Sequence, residues 1–346
     1  MKSRWKRRPE GSNWGEFGSD DQLGRLNLLT PAKVLQGIAE VREGRSFCLS
    51  LPLDLPGGNE LNPRRHPPRR FATIRDGKAN YNYALGAENP AHTDVICDDA
   101  VLLHTQYSSQ WDSLAHVGAL FDADGDGTPE IVYYNGWRGG EHVAGATPHD
   151  TGEPWARFEG VAARALGIDN MTKTGVQGRA VLIDLAAHFG RARKIVGYDD
   201  LMHVCAADGV VVEPGDMVCL HTGFAEMIVE MKGSPDIARL SASCATLDGR
   251  DKRLLQWITD SGLAILAADN YAVEAYPAIP AEGRHAALPL HEHCLFKLGI
   301  NLGELWYLSD LAKYMRTHRR SRFLLTAPPL RLPQAVGSPV TPVATV

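Results

Sequence analysis

Arg179-Ala-Val-Leu-Ile-Asp-Leu185 is a short apolar run that begins directly after Gly178. A second run of this kind, Asp216-Met-Val-Cys-Leu-His-Thr222, is followed by Gly223. Apolar runs of this length next to glycine predict buried strands. Helix signals alternate with such runs, but without a strict βαβ period. We therefore predict a mixed α/β domain rather than a doubly wound parallel sheet.

Capping residues and apolar patterns predict further elements on both sides of these strands. Thr30 is a suitable N-cap for a helix that starts at Pro31 and ends near Gly44. We also expect helices over 154–166, 248–262 and 305–315, extended segments over 47–53, 95–117, 263–268 and 322–330, and an irregular stretch over 56–83. No repeat or composition shift indicates a second domain. We predict one domain over 1–346, with an N-terminal arm at 1–20 and a C-terminal tail at 331–346.

Composition excludes several classes of protein. The chain has 346 residues, of which 44% are hydrophobic and 22% charged, as in soluble globular enzymes. Its net charge of −5 argues against a nucleic-acid partner, and no apolar run is long enough for a membrane helix. No apolar segment typical of a secretory signal follows the basic N-terminus. Six scattered cysteines without a CxxC pair predict reduced thiols and a cytoplasmic location.

The densest polar cluster is His104-Thr-Gln-Tyr-Ser-Ser-Gln-Trp-Asp-Ser-Leu-Ala-His116. Four of its side chains occupy even positions and would share one face of an extended chain: Gln106, Gln110, Asp112 and His116. A straight strand of this length spans more than about 30 Å, so a bend is needed to bring His116 back. Trp111 would face away from these residues unless the chain twists, and it is a candidate for the substrate pocket or for the core. The alternative for the whole cluster is the exposed face of an edge strand.

A second polar cluster lies about 180 residues downstream, from His291 to Glu304. His291 precedes an apolar run and Glu304 follows it. Together with Asp112 they provide the imidazole and carboxylate groups of a metal site. Glu304 has an alternative role in the first turn of a following helix.

With these two clusters the sequence resembles the metal-dependent cyclase-like hydrolases, which include bacterial kynurenine formamidase and isatin hydrolase. The family motif His-x-Gly-Thr-His-x-Asp-x-Pro-x-His has the spacing found from Gln106 to His116. The segment from His291 to Glu304 matches the distal ligand pair of the family, and His291 fits better than His293. The resemblance also includes Trp14-Gly15, 20–24, 26–31, 214–216, 222–223, 268–270, Glu274, 329–330 and 337–339.

The motif differs from the common one at three positions. Gln106 and Gln110 replace histidines, and Leu114 replaces the proline. The resulting Gln-x-x-x-Gln-x-Asp-x-x-x-His form resembles the branch typified by the zinc-dependent trans-dienelactone hydrolase. The resemblance implies a swivelling β/β/α fold, in which a mixed sheet or barrel is flanked by helices, and a homodimer or homotetramer.

The same resemblance implies a set of functional residues. The metal ligands would be Gln106, Gln110, Asp112, His291 and Glu304, and the metal would be Zn²⁺ or, because amide oxygens are harder donors, Mn²⁺. His104 is an alternative nitrogen ligand. His116 would be the general base or acid.

The predicted function is hydrolysis of a small molecule by metal-activated water. A lactone of the dienelactone type is the first candidate substrate, because an enol leaves easily and tolerates a weaker Lewis acid. The first alternative is an amidohydrolase for N-formyl or cyclic aryl amides. The second is a catalytically silent homologue that only binds a ligand, which the presence of Asp112, His116, His291 and Glu304 disfavours.

Two further segments have a functional and a structural interpretation. Asp122-Ala-Asp-Gly-Asp-Gly127 is similar to the start of a calcium loop, but Tyr133 occupies the position of the bidentate glutamate. We therefore favour an ordinary hairpin turn. An arginine-rich loop could bind a carboxylated substrate, or its side chains could simply be solvated: Arg64, Arg65, Arg69 and Arg70.

Overall fold

The computed structural model describes residues 4–148 and 158–346. Its centre is a nine-stranded sheet. In chain order the strands are β1 Ser46–Cys48, β2 Gln110–Asp112, β3 Gln177–Asp184, β4 Met217–His221, β5 Ile265–Ala268, β6 Asn301–Glu304, β7 Arg322–Thr326, β8 Gly337–Pro339 and β9 Val343–Thr345. Their spatial order is β1-β9-β7-β3-β4-β5-β6-β2-β8. Strands β3 to β6 are parallel and all other pairs are antiparallel, so the sheet is mixed.

Helices flank this sheet. They are α1 Pro31–Ala39, α2 Asp169–Thr174, α3 Leu185–Phe189, α4 Tyr198–Ala207, α5 Phe224–Glu230, α6 Ile237–Ser241, α7 Lys252–Asp260, α8 Pro289–His291 and α9 Ser309–His318. A π-helix, Glu292–Leu298, continues α8. Short 3₁₀ turns occupy Gly24–Leu28, Leu85–Ala87 and Tyr134–Gly136.

Small two-stranded sheets surround the main one. The antiparallel pairs are Arg69–Ala72 with Asp99–Leu102, Ile74–Arg75 with Lys78–Ala79, Tyr83–Ala84 with Val95–Ile96, Ala119–Phe121 with Glu130–Val132, Val143–Ala144 with Ala162–Ala163, and Thr147–Pro148 with Phe158–Glu159. Lys194–Val196 and Ala245–Leu247 are parallel.

The central strands are buried on both faces. Val181 and Ile183 of β3 belong to one apolar cluster, whereas Ala180 and Leu182 belong to another. Because successive side chains of a strand point to opposite faces, the two clusters are the cores on the two sides of the sheet. This arrangement explains why the strands are continuous apolar runs in the sequence.

The predicted fold class is confirmed: the chain folds as a mixed α/β domain in which helices flank a curled half-barrel sheet. Helix α1 begins as predicted, because Thr30 Oγ1 accepts a hydrogen bond from the Lys33 backbone N–H at 3.3 Å. None of the helices in the described part of the chain has the length and apolar character needed to cross a bilayer.

Several predicted elements differ in the structure. Of the predicted helix at 154–166, residues 154–157 lie outside the described residues, and the rest contains the strands Phe158–Glu159 and Ala162–Ala163. The predicted tail at 331–346 supplies β8 and β9 to the main sheet. Both strands have three residues and lie next to prolines, so they carry no alternating pattern that sequence reasoning could detect.

Candidate metal centre

Strands β2 and β6 bring the first site residues together. They are antiparallel, with Gln110 opposite Glu304 and Asp112 opposite Leu302. Directly opposite residues of an antiparallel pair share one face of the sheet. The register therefore places Gln110, Asp112 and Glu304 on the same face.

Trp111 points to the other face of β2. It is fully buried, its ring centroid is 4.9 Å from that of Trp306, and its indole N–H donates to the Ala327 carbonyl at 2.7 Å. The candidate pocket residue is thus a core residue whose polar group is already satisfied.

His291 joins the cluster from the junction of α8 and the π-helix, a type of helix irregularity that is frequent at functional sites. The buried carboxylate of Glu274 accepts the backbone N–H groups of Leu290 and His291, both at 3.0 Å, and lies 2.7 Å from His291 Nδ1. This contact makes Nδ1 the protonated nitrogen and directs Nε2 towards Glu304 Oε1, which is 3.2 Å away. An imidazole held in this way by a carboxylate is the common arrangement of a metal-binding histidine.

The resulting cluster has the composition of a metal site. Ligand atoms of Asp112, His291 and Glu304 all lie within 4.8 Å of one another, and the three residues are buried. Asp112 Oδ2 and Gln110 Oε1 are buried without a hydrogen-bond partner in the described chain. Such oxygens are costly to bury unless something compensates them. A divalent cation fits this set of carboxylate, imidazole and amide donors.

Gln110 also supports the two carboxylates directly. Its Nε2 donates to Glu304 Oε2 at 3.2 Å and to Asp112 Oδ1 at 3.4 Å. From behind, the Asn301 side-chain amide donates to the Asp112 backbone carbonyl at 3.0 Å.

Burial and charge shift the pKa values of the three groups in different directions. Burial raises the pKa of Asp112, and the neighbouring charge of Glu304 adds to the effect. The pKa of Glu304 is lowered, because contact with His291 outweighs the opposing effect of burial. Burial also opposes the charged form of His291, but its contacts with Glu274 and Glu304 raise its pKa to about 10. The pocket therefore stabilises positive charge between these carboxylates.

His116 lies at the edge of the cluster. A turn, in which the His116 N–H donates to the Ser113 carbonyl at 3.0 Å, bends the chain after β2. His116 Nε2 is 3.8 Å from Asp112 Oδ1, and the side chain of His116 is 22% exposed while that of Asp112 is fully buried. The imidazole can thus reach both the cluster and a ligand that arrives from solvent. The bend expected from the sequence is present, and of the predicted extended segment 95–117 the structure forms strands at Val95–Ile96, Asp99–Leu102 and Gln110–Asp112.

Gln106 contacts His116 rather than the carboxylates. Its Nε2 is 3.3 Å from His116 Nδ1, and its Oε1 accepts a hydrogen bond from the Thr105 hydroxyl at 2.8 Å.

The other candidate histidines have partners elsewhere. His104 Nδ1 is 3.2 Å from the backbone N and O of His66. His293 Nε2 is 3.0 Å from Thr259 Oγ1, and burial lowers the pKa of His293 to about 4. The sequence preference for His291 over His293 agrees with this geometry.

The structure shows where the Asp122–Gly127 segment and the arginine-rich loop lie. Asp122 lies at the tip of the hairpin between Ala119–Phe121 and Glu130–Val132, where it accepts the N–H groups of Gly125 and Gly127 and pairs with Arg7. The segment forms the predicted hairpin turn, and ligand atoms of Asp122, Asp124 and Glu130 lie within 4.8 Å of one another beside it.

Of the four loop arginines, only Arg65 is partly buried, and its Nη1 donates to the Gln106 carbonyl at 2.7 Å. Arg65 lines a small cleft together with Asn62, Tyr107 and Tyr271. Arg65 connects this cleft to Gln106, which in turn contacts His116. The other three arginines are exposed.

Two turns that carry site residues have unusual backbone conformations. Ala272 (φ 73°) and Val273 (φ 57°) precede Glu274, and Leu305 (φ 55°) follows Glu304. Positive φ is costly for residues with a Cβ, most of all for β-branched valine. Backbone hydrogen bonds hold both turns: the N–H of Leu247 donates to the Val273 carbonyl at 3.1 Å, and that of Leu305 to the Asn270 carbonyl at 3.0 Å.

Sequence reasoning did not assign roles to Glu274 or Asn301. Glu274 was part of the resemblance, but its contact with His291 depends on the turn after β5. Asn301 gives no motif of its own. A carboxylate shortly after a buried strand was the available signal for Glu274.

Comparison with known proteins adds the family. The model of the Cyclase family, described as “Putative cyclase”, matches residues 49–275, which is more than half of the chain. The chain belongs to the Cyclase family. This cyclase-family chain is also similar to a crystal structure of a novel cyclase, with 29% identity, coverage of 97% of both chains and a TM-score of 0.72.

More distant structures share the fold of this cyclase-family chain. Isatin hydrolase A from Ralstonia solanacearum has 14% identity and a TM-score of 0.53, over 87% of this chain and 91% of the hydrolase. An isatin hydrolase bound to the product analogue thioisatinate has 12% identity and a TM-score of 0.53, over 91% and 95%. None of the curated proteins matches the sequence.

Proposed function

We propose that this chain is a metal-dependent hydrolase that opens a cyclic ester or a cyclic amide. The main support is the buried cluster of Asp112, His291 and Glu304, in which a carboxylate oxygen has no hydrogen-bond partner among residues 4–148 and 158–346, while His116 lies at the solvent side. In a cluster with only a structural role, a buried oxygen without a partner would cost folding free energy and give nothing in return. The silent alternative therefore has less support.

The chain's own residues divide the work. Asp112, His291 and Glu304 would hold the cation, with the Gln110 amide oxygen as a further donor. When bound, the cation supplies Lewis acidity, which polarises a carbonyl and lowers the pKa of water towards about 7. We assign His116 the role of general base or acid, which exchanges a proton with the reacting atoms through Nε2. We propose Zn²⁺ as the metal, with Mn²⁺ as the alternative, because the donors are a mixture of nitrogen and harder oxygen ligands.

Two substrate classes follow from this chemistry. A lactone with an enol leaving group suits a weak Lewis acid, as expected when amides take the place of imidazoles, and the trans-dienelactone hydrolase branch is the model for it. A cyclic or N-formyl aryl amide is supported to a similar degree, because two isatin hydrolases share the fold.

A substrate panel with controlled metal content tests the proposal. Purified protein is assayed with an enol lactone, a formyl anilide and isatin, before and after treatment with EDTA and after addition of Zn²⁺ or Mn²⁺. We expect turnover of one class that EDTA abolishes and a metal restores. Asp112→Ala should lose both bound metal and turnover, whereas Asp199→Ala, the same change at an exposed position in α4, should keep both. Full activity in metal-free protein, or no metal binding at all, would contradict the proposal.

We also propose a cytoplasmic location. All six cysteines are free, and four of them are buried, as expected in a reducing cytoplasm. We propose a homodimer or homotetramer, which light scattering on purified protein would test.

A further inference from the structure

Gln106 is held by contacts that lie outside the metal cluster. Arg65 binds its backbone carbonyl at 2.7 Å, and the Thr105 hydroxyl donates to its side-chain oxygen at 2.8 Å. The remaining group of the amide, Nε2, is directed at His116 Nδ1, 3.3 Å away. The backbone carbonyl, the side-chain oxygen and the side-chain nitrogen of Gln106 therefore each contact another residue of the protein.

The backbone of β8 leaves space for this arrangement. Gly337 is paired with Asp112 in the sheet and lies beside the Gln106 amide. A Cβ at Gly337 would be 2.5 Å from Gln106 Nε2 and 2.8 Å from its amide carbon. Glycine at this position thus allows the amide to approach His116.

The second glutamine of the motif has different contacts. Gln110 donates to Asp112 and Glu304, and its oxygen is buried without a partner in the described residues, as expected of a potential ligand. Gln106 has no contact with either carboxylate among the hydrogen bonds of the described chain. The two glutamines occupy equivalent histidine positions of the motif, yet only one of them belongs to the cation-binding group.

We propose that Gln106 is a positioning residue for His116 and not a ligand of the metal. An amide N–H can only donate, so its contact makes Nδ1 of His116 the acceptor and leaves the ring proton on Nε2. Nε2 is the nitrogen that faces Asp112 and the site. Gln106 thereby fixes the ring orientation and makes Nε2–H of the neutral ring a hydrogen-bond donor to the reacting oxygen or nitrogen. This narrows the role of His116 from general base or acid to stabilisation of the charge that develops there, because a neutral imidazole that holds its proton on Nε2 cannot accept one at that atom. The inference rests on the proposed function for its effect on turnover, but not for its effects on metal binding or on the tautomer.

Matched leucine variants separate a ligand from a positioning residue. Zinc affinity is measured by competition with a chromophoric chelator for the wild type, Gln106→Leu and Gln110→Leu. We expect Gln106→Leu to bind zinc within about twofold of the wild type and to lose about 10- to 100-fold in kcat with little change in KM, because one well-placed hydrogen-bond donor to the reacting atoms contributes about 10²- to 10³-fold to kcat and leucine only releases its orientation. A loss of zinc affinity of tenfold or more in Gln106→Leu would show that Gln106 is a ligand and overturn the proposal.

The tautomer gives a readout that needs neither metal nor substrate. In ¹⁵N-labelled, metal-free protein in mildly alkaline buffer, the His116 signals are assigned by comparison with His116→Ala. We expect Nε2–H in the wild type and Nδ1–H in Gln106→Glu, because a carboxylate can only accept. A wild-type Nδ1–H form, or the same tautomer in both proteins, would overturn the proposal. Gln106→Glu keeps the size of the side chain and provides this test even if the leucine variant does not fold.

The outcomes also separate this inference from the proposed hydrolysis. If Gln110→Leu and Asp112→Ala bind zinc normally, or no substrate is turned over, the proposed metal hydrolase is wrong. The tautomer comparison still decides the role of Gln106.

Discussion

Replacing Glu274 by glutamine tests whether the buried carboxylate behind His291 controls the metal site. Glu274 accepts three N–H groups: the backbone N–H groups of Leu290 and His291, and the Nδ1–H of the His291 ring. A glutamine has only one oxygen at this position. Its NH₂ group must face either the Leu290 N–H, or both the backbone N–H and the ring of His291, and in each case donors oppose each other.

The two orientations of the glutamine have different costs. If the NH₂ group faces Leu290, one buried N–H loses its acceptor, which costs about 1–3 kcal/mol of folding free energy. If it faces His291, the backbone N–H of His291 loses its acceptor, the ring proton moves from Nδ1 to Nε2, and Nε2 can no longer bind a cation. Loss of such a supporting contact typically reduces metal affinity about 10- to 100-fold. This corresponds to about 1.4–2.8 kcal/mol of binding free energy.

Chelator competition and urea unfolding measure the two effects on the same protein. Glu292→Gln is the control. It removes the same charge from the residue that directly follows His291, at a partly exposed position. We expect Glu274→Gln to differ from this control in at least one of the two measurements: a zinc affinity at least tenfold weaker, or a free energy of unfolding about 1–3 kcal/mol lower. Equal zinc affinity and equal unfolding free energy in both variants would refute the reasoning, since they would show that neither the backbone N–H groups nor Nδ1 depends on the carboxylate.

Three further outcomes are expected. His116→Ala should keep the metal, as shown by metal analysis, and lose about 10²- to 10⁴-fold in kcat; an unchanged rate would exclude proton transfer by this residue. Arg65→Met should raise KM for carboxylated substrates more than for neutral ones, and Arg64→Met, on an exposed neighbour, should not. Asp184→Asn should lower stability by about 3 kcal/mol, because it breaks a buried pair with His221. Burial opposes both charges, yet contact with the partner lowers the pKa of Asp184 and raises that of His221. The loss, followed by urea unfolding, should therefore be largest between about pH 4 and 6.5 and shrink as pH rises through the folded pKa of His221 or falls through that of Asp184; a loss independent of pH would contradict the charged pair.

The sequence predicted those parts of the fold in which local signals and tertiary packing agree. Strands β3 and β4 are buried on both faces and so appear as continuous apolar runs. Helix α1 has its N-cap at Thr30 and proline at its first position. Strands β8 and β9 could not be predicted, because three residues beside prolines gain their stability from long-range pairing with β2 and with β7 and β1.

The candidate site shows the same division. Alternation along β2 predicted that Gln110 and Asp112 share a face and that Trp111 does not. The sequence alone could not give the register that places Glu304 opposite Gln110, because β2 and β6 are about 190 residues apart in the chain. Nor could it show that Gln106 lies before the strand, in a turn that directs its amide to His116.

Charge balance explains how the site could retain a cation after two imidazoles are replaced by amides. The replacements remove nitrogen donors but no charge, so the buried carboxylates of Asp112 and Glu304 still require positive charge nearby. Arg65 acts on both in the direction of a lower pKa, but it is only partly buried and has no oxygen of either carboxylate among its hydrogen bonds in the described chain. A divalent cation compensates two carboxylates, whereas a single proton on His291 compensates one. In the proposed metal site the carboxylates would therefore set the demand for a cation, while the strength with which it is held would depend on the imidazole of His291 and on Glu274 behind it.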